Sequence, residues 1–463
     1  MNATPWILGT LIVYKIILIA IGVWASRRTQ NTEDFFIGGR KLGPWVAAIS
    51  ASASSSSAWT LLGVSGAAYA WGLAAAWLIP ACLMGFAINW FIVAPRIYSQ
   101  AKQRNCVTLT EYLVGSEQNN LRIYWVRSAS FMIIISFIFY IAAQFQASGT
   151  TFAATFDMNM NQSILIGGII IIVYTMIGGF WAVSLTDTLQ GLMMALTSVL
   201  LPIGALIAVG GPSELFQQLT SLQSDTLRPG MTASIFFIAG TLGIGLGYPG
   251  QPHVVNRLMA LKDKRSLKRG TAIAISWAVL VYIGMVLLGW CGRVLFSSLP
   301  DTEQIFIATA RQTFPPVIFG VMIASVLSAI MSTADSQILV AASSLTYDLN
   351  QSKSKTKIRL LHSRAVVLGV SILAILLALF ASQSVFSRVL FAWHALGSAF
   401  GPIVLFRVFG HDIQPKFLGA AMWSGFLGTV FLHLLPNSQG DFLERLVPFF
   451  IALFLCFLGK RSV

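Results

Sequence analysis

The stretch AISASASSSSAWTLLG, Ala48–Gly63, decides how this chain is read, because six serines fall within eight residues of a segment otherwise apolar enough to cross a bilayer. A backbone in hydrocarbon must satisfy its own hydrogen bonds. An unwound, hydroxyl-rich helix is therefore tolerated only where it faces protein or a polar cavity. The serine run predicts an interrupted helix lining a polar interior. The surrounding sequence agrees: of 463 residues only 10% are charged and 56% are hydrophobic. Apolar runs of about 20 residues, the length that crosses a membrane core, recur from end to end.

These features predict an all-α polytopic membrane protein with about 13 transmembrane helices. Barrel strands would show roughly 10-residue alternation instead of long runs rich in Gly and Trp. The candidate spans are 6–25, 45–72, 74–99, 124–152, 162–183, 187–210, 232–248, 270–296, 316–347, 365–382, 384–408, 417–435 and 446–459.

A net charge of +14 would suit a nucleic-acid partner if the basic residues formed a patch. They are distributed by topology instead. With the N-terminus outside, 24 of the 30 Lys and Arg fall in or beside the inside loops and 5 in or beside the outside loops. This positive-inside bias predicts an extracellular N-terminus and a cytoplasmic C-terminus. Arg27 and Arg28 follow the first apolar run, which identifies it as an uncleaved span. Lys15 within it is expected to snorkel or to face other helices. Cys82, Cys106, Cys291 and Cys456 lack metal-ligand spacing and imply neither a disulfide framework nor a metal cluster. Phosphate-loop, hydrolase and zinc-protease motifs are missing, so the chain does not read as an enzyme or an ATP-driven pump.

A second interruption, GTLGIGLGYPGQPH (Gly240–His253), lies five spans after the first. Each could open a five-helix repeat of opposite orientation, and such paired interruptions point to a midplane site for solute and coupling ion. Close helix packing by small residues is the alternative for either stretch alone. A dehydrated Na⁺ needs hard oxygen ligands, which free carbonyls and hydroxyls supply. LSAIMSTADSQILV in span 9 offers Ser332, Thr333 and Asp335, with Ser332 and Asp335 on one helix face. Asp335 and Asp187 are the acids placed nearest membrane depth, where an acid needs a cation, hydration or a partner. Asp187 reads equally as a helix-start cap or as part of an ion exit. His394 reads as a packed histidine ahead of a proton relay.

The same residues carry a resemblance to the sodium:solute symporter family, in particular its sodium/proline symporter branch. The shared stretches are DFFIGGRKLGPW (34–45), the serine run through AWTLLG, GGFWAVSLTDTLQ (178–190), GLGYPGQPHVVNRLMA (245–260), SAIMSTADSQILVAASSLTYDL (328–349) and FGPIVLF (400–406). The resemblance implies a leucine-transporter-like fold with five-plus-five inverted repeats, placed at 45–210 and 232–408 within one transmembrane domain. Residues 1–44 precede them as a first helix and loop, and two helices follow in 417–459. Sodium-driven uptake by alternating access is the implied activity. No organic cofactor, nucleic acid or obligate protein partner is implied, and the expected location is a bacterial plasma membrane.

Position by position, the resemblance places Na⁺ against the carbonyls of Ala53, Ser56 and Ala329 and the hydroxyls of Ser332 and Thr333. It assigns Arg40 to ion coupling and the inner gate, and Asp187 to the ion release route. The solute cavity maps onto Ser57, Trp59, Gly63, Tyr140, Ile244 and Tyr248, a set suited to an amino acid with its apolar body against aromatic rings. The sequence departs from proline-type members at Ser55, where they carry an aspartate, and at Ile244, where they carry a tryptophan. Asp335, often serine in that branch, is expected to restore the missing negative charge as an auxiliary sodium acid. Proton coupling, another solute such as a carboxylate or vitamin, and a non-transporting solute sensor are the alternatives.

Overall fold

In the computed structural model the described residues are 4–26, 37–115, 121–176, 180–226, 234–348, 356–380, 384–436 and 438–461. Arg27 and Arg28, and the motif positions 34–36, 178, 179 and 349, lie outside them. The described residues are helical almost throughout, with two isolated backbone bridges, Leu42 with Leu261 and Ile413 with Lys460. Among the described residues seven continuous helical stretches are long and apolar enough to cross a membrane, and one of these, Pro44–Gln103, contains two of the expected spans.

The chain opens with α1 (Thr4–Ser26), then reaches α2 (Pro44–Ala58), which ends at a break and resumes as α3 (Val64–Trp71). α4 (Leu78–Ala87) and α5 (Ala94–Gln103) form the return, and the short α6 (Leu109–Val114) follows. α7 (Arg122–Phe156), α8 (Met160–Thr175) and α9 (Phe180–Val209) follow. An amphipathic α10 (Pro212–Thr226) was not among the expected spans.

The second interruption sits differently from expectation. The sequence reading ended span 7 at the glycine-rich stretch, yet helix continues on both sides of it. α11 (Ile235–Gly243) gives way to a 3₁₀ stretch, Ile244–Gly250, and α12 (Pro252–Met259) resumes. The break is therefore in the middle of the span, because Pro252 starts a new helix at its first turn, where a missing N–H costs nothing. Glycine is required here by close approach: a Cβ on Gly250 would lie 2.6 Å from the Leu396 carbonyl, and one on Gly247 2.2 Å from Trp393 Nε1.

The remaining elements are α13 (Lys264–Leu295), α14 (Ile305–Thr313), α15 (Pro316–Ser343), α16 (Thr356–Phe380), α17 (Val385–Val408), α18 (Pro415–His433) and α19 (Phe442–Leu458). α2 packs on α9, α12, α13 and α15, so every residue from Ala47 to Ala58 is buried. The serine run is thus at the centre of the bundle. α1 lies outside this core against α9 and α15. Lys15 faces α15 and contacts Met331 Sδ, while the Tyr14 and Ser328 hydroxyls bond one another.

Candidate functional site

The break after α2 falls at Ser57, whose φ of 51° and ψ of −174° leave the helical region. Positive φ on a non-glycine residue is costly and persists where surrounding contacts fix it. Here the freed groups have identifiable partners. The Ala58 N–H donates to Gln144 Oε1 of α7 at 3.1 Å, and the Trp59 N–H donates to Ser57 Oγ at 3.1 Å. Trp59–Gly63 then forms a wide π turn before α3.

Beside this break, atoms from α2 and α15 converge. The Ser332 hydroxyl lies 3.4 Å from the Ala53 carbonyl and 3.2 Å from the Ala329 carbonyl. The Thr333 hydroxyl donates to the Ser54 carbonyl at 3.0 Å. Four of the residues singled out for ion contact, Ala53, Ala329, Ser332 and Thr333, are therefore assembled from two helices more than 270 residues apart in sequence. Ser56, the fifth, is engaged along its own segment, its carbonyl accepting from the Thr60 hydroxyl at 2.5 Å and from the Trp59 N–H. Ser55 bonds back to the Ser52 carbonyl at 2.9 Å.

Next to this cluster lies a buried polar network. Asp187 sits two turns inside α9, not at a helix start, which removes the capping reading. Its Oδ2 accepts from Arg257 Nη2 at 2.6 Å, from Ser50 at 2.9 Å and from Ser54 at 3.2 Å. Arg257 also donates to Ser50, Ser336 and the His253 carbonyl, and its guanidinium lies 5.5 Å from the Phe180 ring centre. Sequence reasoning missed Arg257, since in one dimension it is another basic residue at the edge of a basic loop. A cavity of about 10 Å³ lined by Thr108, Phe180, Asn256, Arg257, Ser336 and Ser343 lies next to this network, roughly the room for one water.

Asp335 is fully buried. Its Oδ1 accepts from the Ser336 N–H at 3.2 Å, and its electrostatic neighbours are Asp187, Arg257 and Lys15. Lys15 rests on Met331, one helical turn before Asp335. Arg40 sits lower, donating to the Cys106 carbonyl at 2.7 Å and the Met259 carbonyl at 3.4 Å. It ties the loop before α2 to the end of α12, where Leu42 and Ala260–Lys262 also exchange backbone bonds.

On the other side of the Ser57 break is an aromatic cluster. Tyr140 donates to Ser57 Oγ at 3.4 Å, and the Tyr248 and Tyr282 hydroxyls are 3.0 Å apart. Trp59 packs on Tyr282 at 6.4 Å and on Phe386 at 5.6 Å between ring centres. Gly63 makes room for this ring: a Cβ there would be 3.1 Å from Trp59. Trp393 packs edge-on against Tyr248 at 4.7 Å, and its Nε1 donates to the Ile244 carbonyl at 3.2 Å. Tyr140, Tyr248 and Tyr282 are each no more than 2% exposed. Tyr282, Trp393, Phe386 and Gln144 were missed because their helices carry no interruption that would mark them. His394 is buried within α17.

Comparisons with known proteins bear on the family and the fold. The sodium:solute symporter family model matches residues 35–428. The high-affinity proline transporter PutP of Bacillus subtilis (strain 168) is 34% identical over 448 residues, covering 94% of this chain and 93% of the relative. The sodium/proline symporter of Salmonella typhimurium is 36% identical over 419 residues, covering 88% and 83%. Among solved structures, a substrate-bound, outward-open Na⁺-coupled sialic acid symporter superposes with a TM-score of 0.82 at 19% identity over 99% of both chains. The likeness is one of fold, leucine-transporter-like, and gives no substrate. The matched length, with two interrupted spans meeting at a hydroxyl-lined centre, establishes that this chain belongs to the sodium:solute symporter family and is a Na⁺-coupled membrane transporter of a small solute, not an enzyme.

Proposed function

We propose that the protein imports proline or another amino-acid-like solute together with Na⁺, by alternating access across a bacterial plasma membrane with the N-terminus outside. The observation that carries this reading is the adjacency of two unlike sites at one helix break. Oxygens of Ala53, Ala329, Ser332 and Thr333 gather on one side of Ser57, and Tyr140, Trp59 and Tyr248 gather on the other. Oxygen ligands suit a dehydrated alkali cation. Aromatic faces with a few hydroxyls suit a small ring or aliphatic body bearing charged groups.

In this reading Ser57, Trp59, Gly63, Tyr140, Ile244 and Tyr248 bound the solute. Ser56 joins the ion ligands when the break rearranges. A shared element at Ser57 gives coupling a physical route: an ion that orders the end of α2 also orders the wall of the solute site, so each ligand raises the affinity for the other. Asp187 and Arg40 act on the cytoplasmic side, in ion release and inner closure. Asp335 adds negative charge to the ion region.

The relatives named as proline transporters favour proline, while Ile244 reshapes the wall and favours a solute of different bulk. Uptake of a labelled amino-acid panel into proteoliposomes, with and without an inward sodium gradient, tests the proposal. Sodium-stimulated accumulation of proline or a near analogue is expected. Sodium-driven uptake of only non-amino-acid solutes would overturn the substrate class and leave the ion reading intact.

A further inference from the structure

Away from the bundle centre, the ends of α6 and α17 and the starts of α7 and α18 enclose a cavity of about 200 Å³ with the last described residues of the chain. Four arginines line it, Arg104, Arg122, Arg407 and Arg461, and among its described lining residues Asp412 is the one acid. Arg407 is 4% exposed and reaches in from the end of α17. Its Nη1 lies 3.0 Å from Asp412 Oδ1, while its buried Nε has no hydrogen-bond partner among the described residues.

The backbone is shaped to let these groups converge. Gly115 has a φ of +84°, and a Cβ on it would come within 3.4 Å of Arg407 Nη2. Arg122 Nε donates to the Gly115 carbonyl at 3.2 Å, so two guanidinium groups meet at one backbone turn. The Arg461 N–H donates to the Asp412 carbonyl at 3.0 Å, which holds the end of the chain at the rim. The floor is apolar and rigid: Trp125 lines it beside Leu418 and Val114, and its ring lies against Gly419 so closely that a Cβ would stand 2.1 Å away.

Four guanidinium groups line one small cavity whose described lining offers a single half-exposed carboxylate, a balance of charge that favours an added anion. Planar guanidinium forks match phosphate oxygens two at a time. The cavity is smaller than the roughly 300–1,000 Å³ typical of drug-sized sites, which suits one phosphate group with a short apolar attachment and not a nucleotide. The positive-inside bias puts it at the cytoplasmic surface, at headgroup depth. We propose that this cavity binds a phosphate-bearing anion, supplied either by the headgroup of an anionic phospholipid of the inner leaflet or by a small soluble phosphate compound.

Thermal unfolding of the purified full-length transporter in detergent tests this, titrating phosphatidylglycerol, phosphatidylcholine and inorganic phosphate in turn. Phosphatidylglycerol is expected to raise the Tm at concentrations where phosphatidylcholine does not, and the Arg122→Gln/Arg461→Gln variant should need about thirtyfold more of it. A shift produced equally by inorganic phosphate would assign the site to a soluble phosphate compound. Equal responses to the anionic and neutral lipids with none to phosphate, or a variant that responds as the wild type does, would overturn the proposal. Should the double variant fail to fold, Arg104→Gln provides the same comparison from the other rim.

Discussion

Arg257 Nη2 lies 2.6 Å from Asp187 Oδ2, and neither side chain exceeds 2% exposure, which makes this pair the buried ionic contact between the second interrupted span and α9. The Coulombic gain of such a pair is largely offset by desolvation, while removal of one partner strands a charge at a cost of about 3–5 kcal/mol.

The pair is therefore expected to behave asymmetrically. Asp187→Asn or Arg257→Gln alone lowers the Tm sharply, because each leaves one buried charge without its partner. Asp187→Leu/Arg257→Met regains most of that stability. It does not regain transport, because Ser50, Ser54 and Ser336 lose the groups that organise them. Melting curves and uptake of the three variants read the two effects separately, and restored uptake in the charge-free pair would rule out a role for these charges in transport.

At the α2–α15 contact, Ser332→Ala and Thr333→Ala each delete one hydroxyl that faces a carbonyl of the opposite helix. Each substitution is expected to raise the sodium concentration for half-maximal uptake roughly tenfold or more, since a contact to a charged species is lost. Sodium titration of uptake at saturating solute measures it. An unchanged sodium dependence in both variants would place the ion elsewhere.

Lys15 and Asp335 are electrostatic neighbours on α1 and α15, with Lys15 resting on Met331 one turn before the carboxylate. If the ammonium offsets part of the charge that Asp335 offers the ion, Lys15→Met raises apparent sodium affinity and Asp335→Asn lowers it. The double variant then resembles Asp335→Asn alone, a non-additive cycle expected of groups in contact. Additive effects on sodium affinity would separate the two residues.

Glu303 lies in the connection between α13 and α14, buried, and caps the start of α17 by accepting from Val385 N at 3.0 Å and Phe386 N at 2.7 Å. Burial pushes its carboxyl from the usual 4.5 up to about 7, against the two N–H bonds and the Arg388 charge that pull it down. Between about pH 4.5 and 7 the folded protein then holds more protons than the unfolded chain, so stability falls as pH rises and levels off above about 7. The Tm is expected to drop from pH 5 to pH 8, and the drop to shrink in Glu303→Gln. It does not vanish there, because burial also raises the carboxyl of Asp348, beyond the end of α15, to about 7. A Glu303→Gln slope equal to that of the wild type would refute the assignment.

By itself the sequence determined that the chain is a bundle of membrane helices, that its Lys and Arg gather in alternate loops, and that Ala48–Gly63 and Gly240–His253 are not ordinary helix. These are properties of local composition: apolar length, the side on which Lys and Arg accumulate, and the density of Ser, Gly and Pro in a backbone without water to bond. Tertiary structure alone decided which groups those interruptions meet. The Ser57 break needs Gln144 for a freed N–H, Asp187 needs Arg257 for its charge, and Tyr248 finds Tyr282 and Trp393, each partner at least 34 residues distant. No periodicity encodes such pairings, since they depend on how helices cross. The surroundings of Asp335 were undecidable for the same reason: its spacing put it on the Ser332 face of α15, and only the packing of α1, α9 and α12 on that helix made Lys15, Asp187 and Arg257 its electrostatic neighbours.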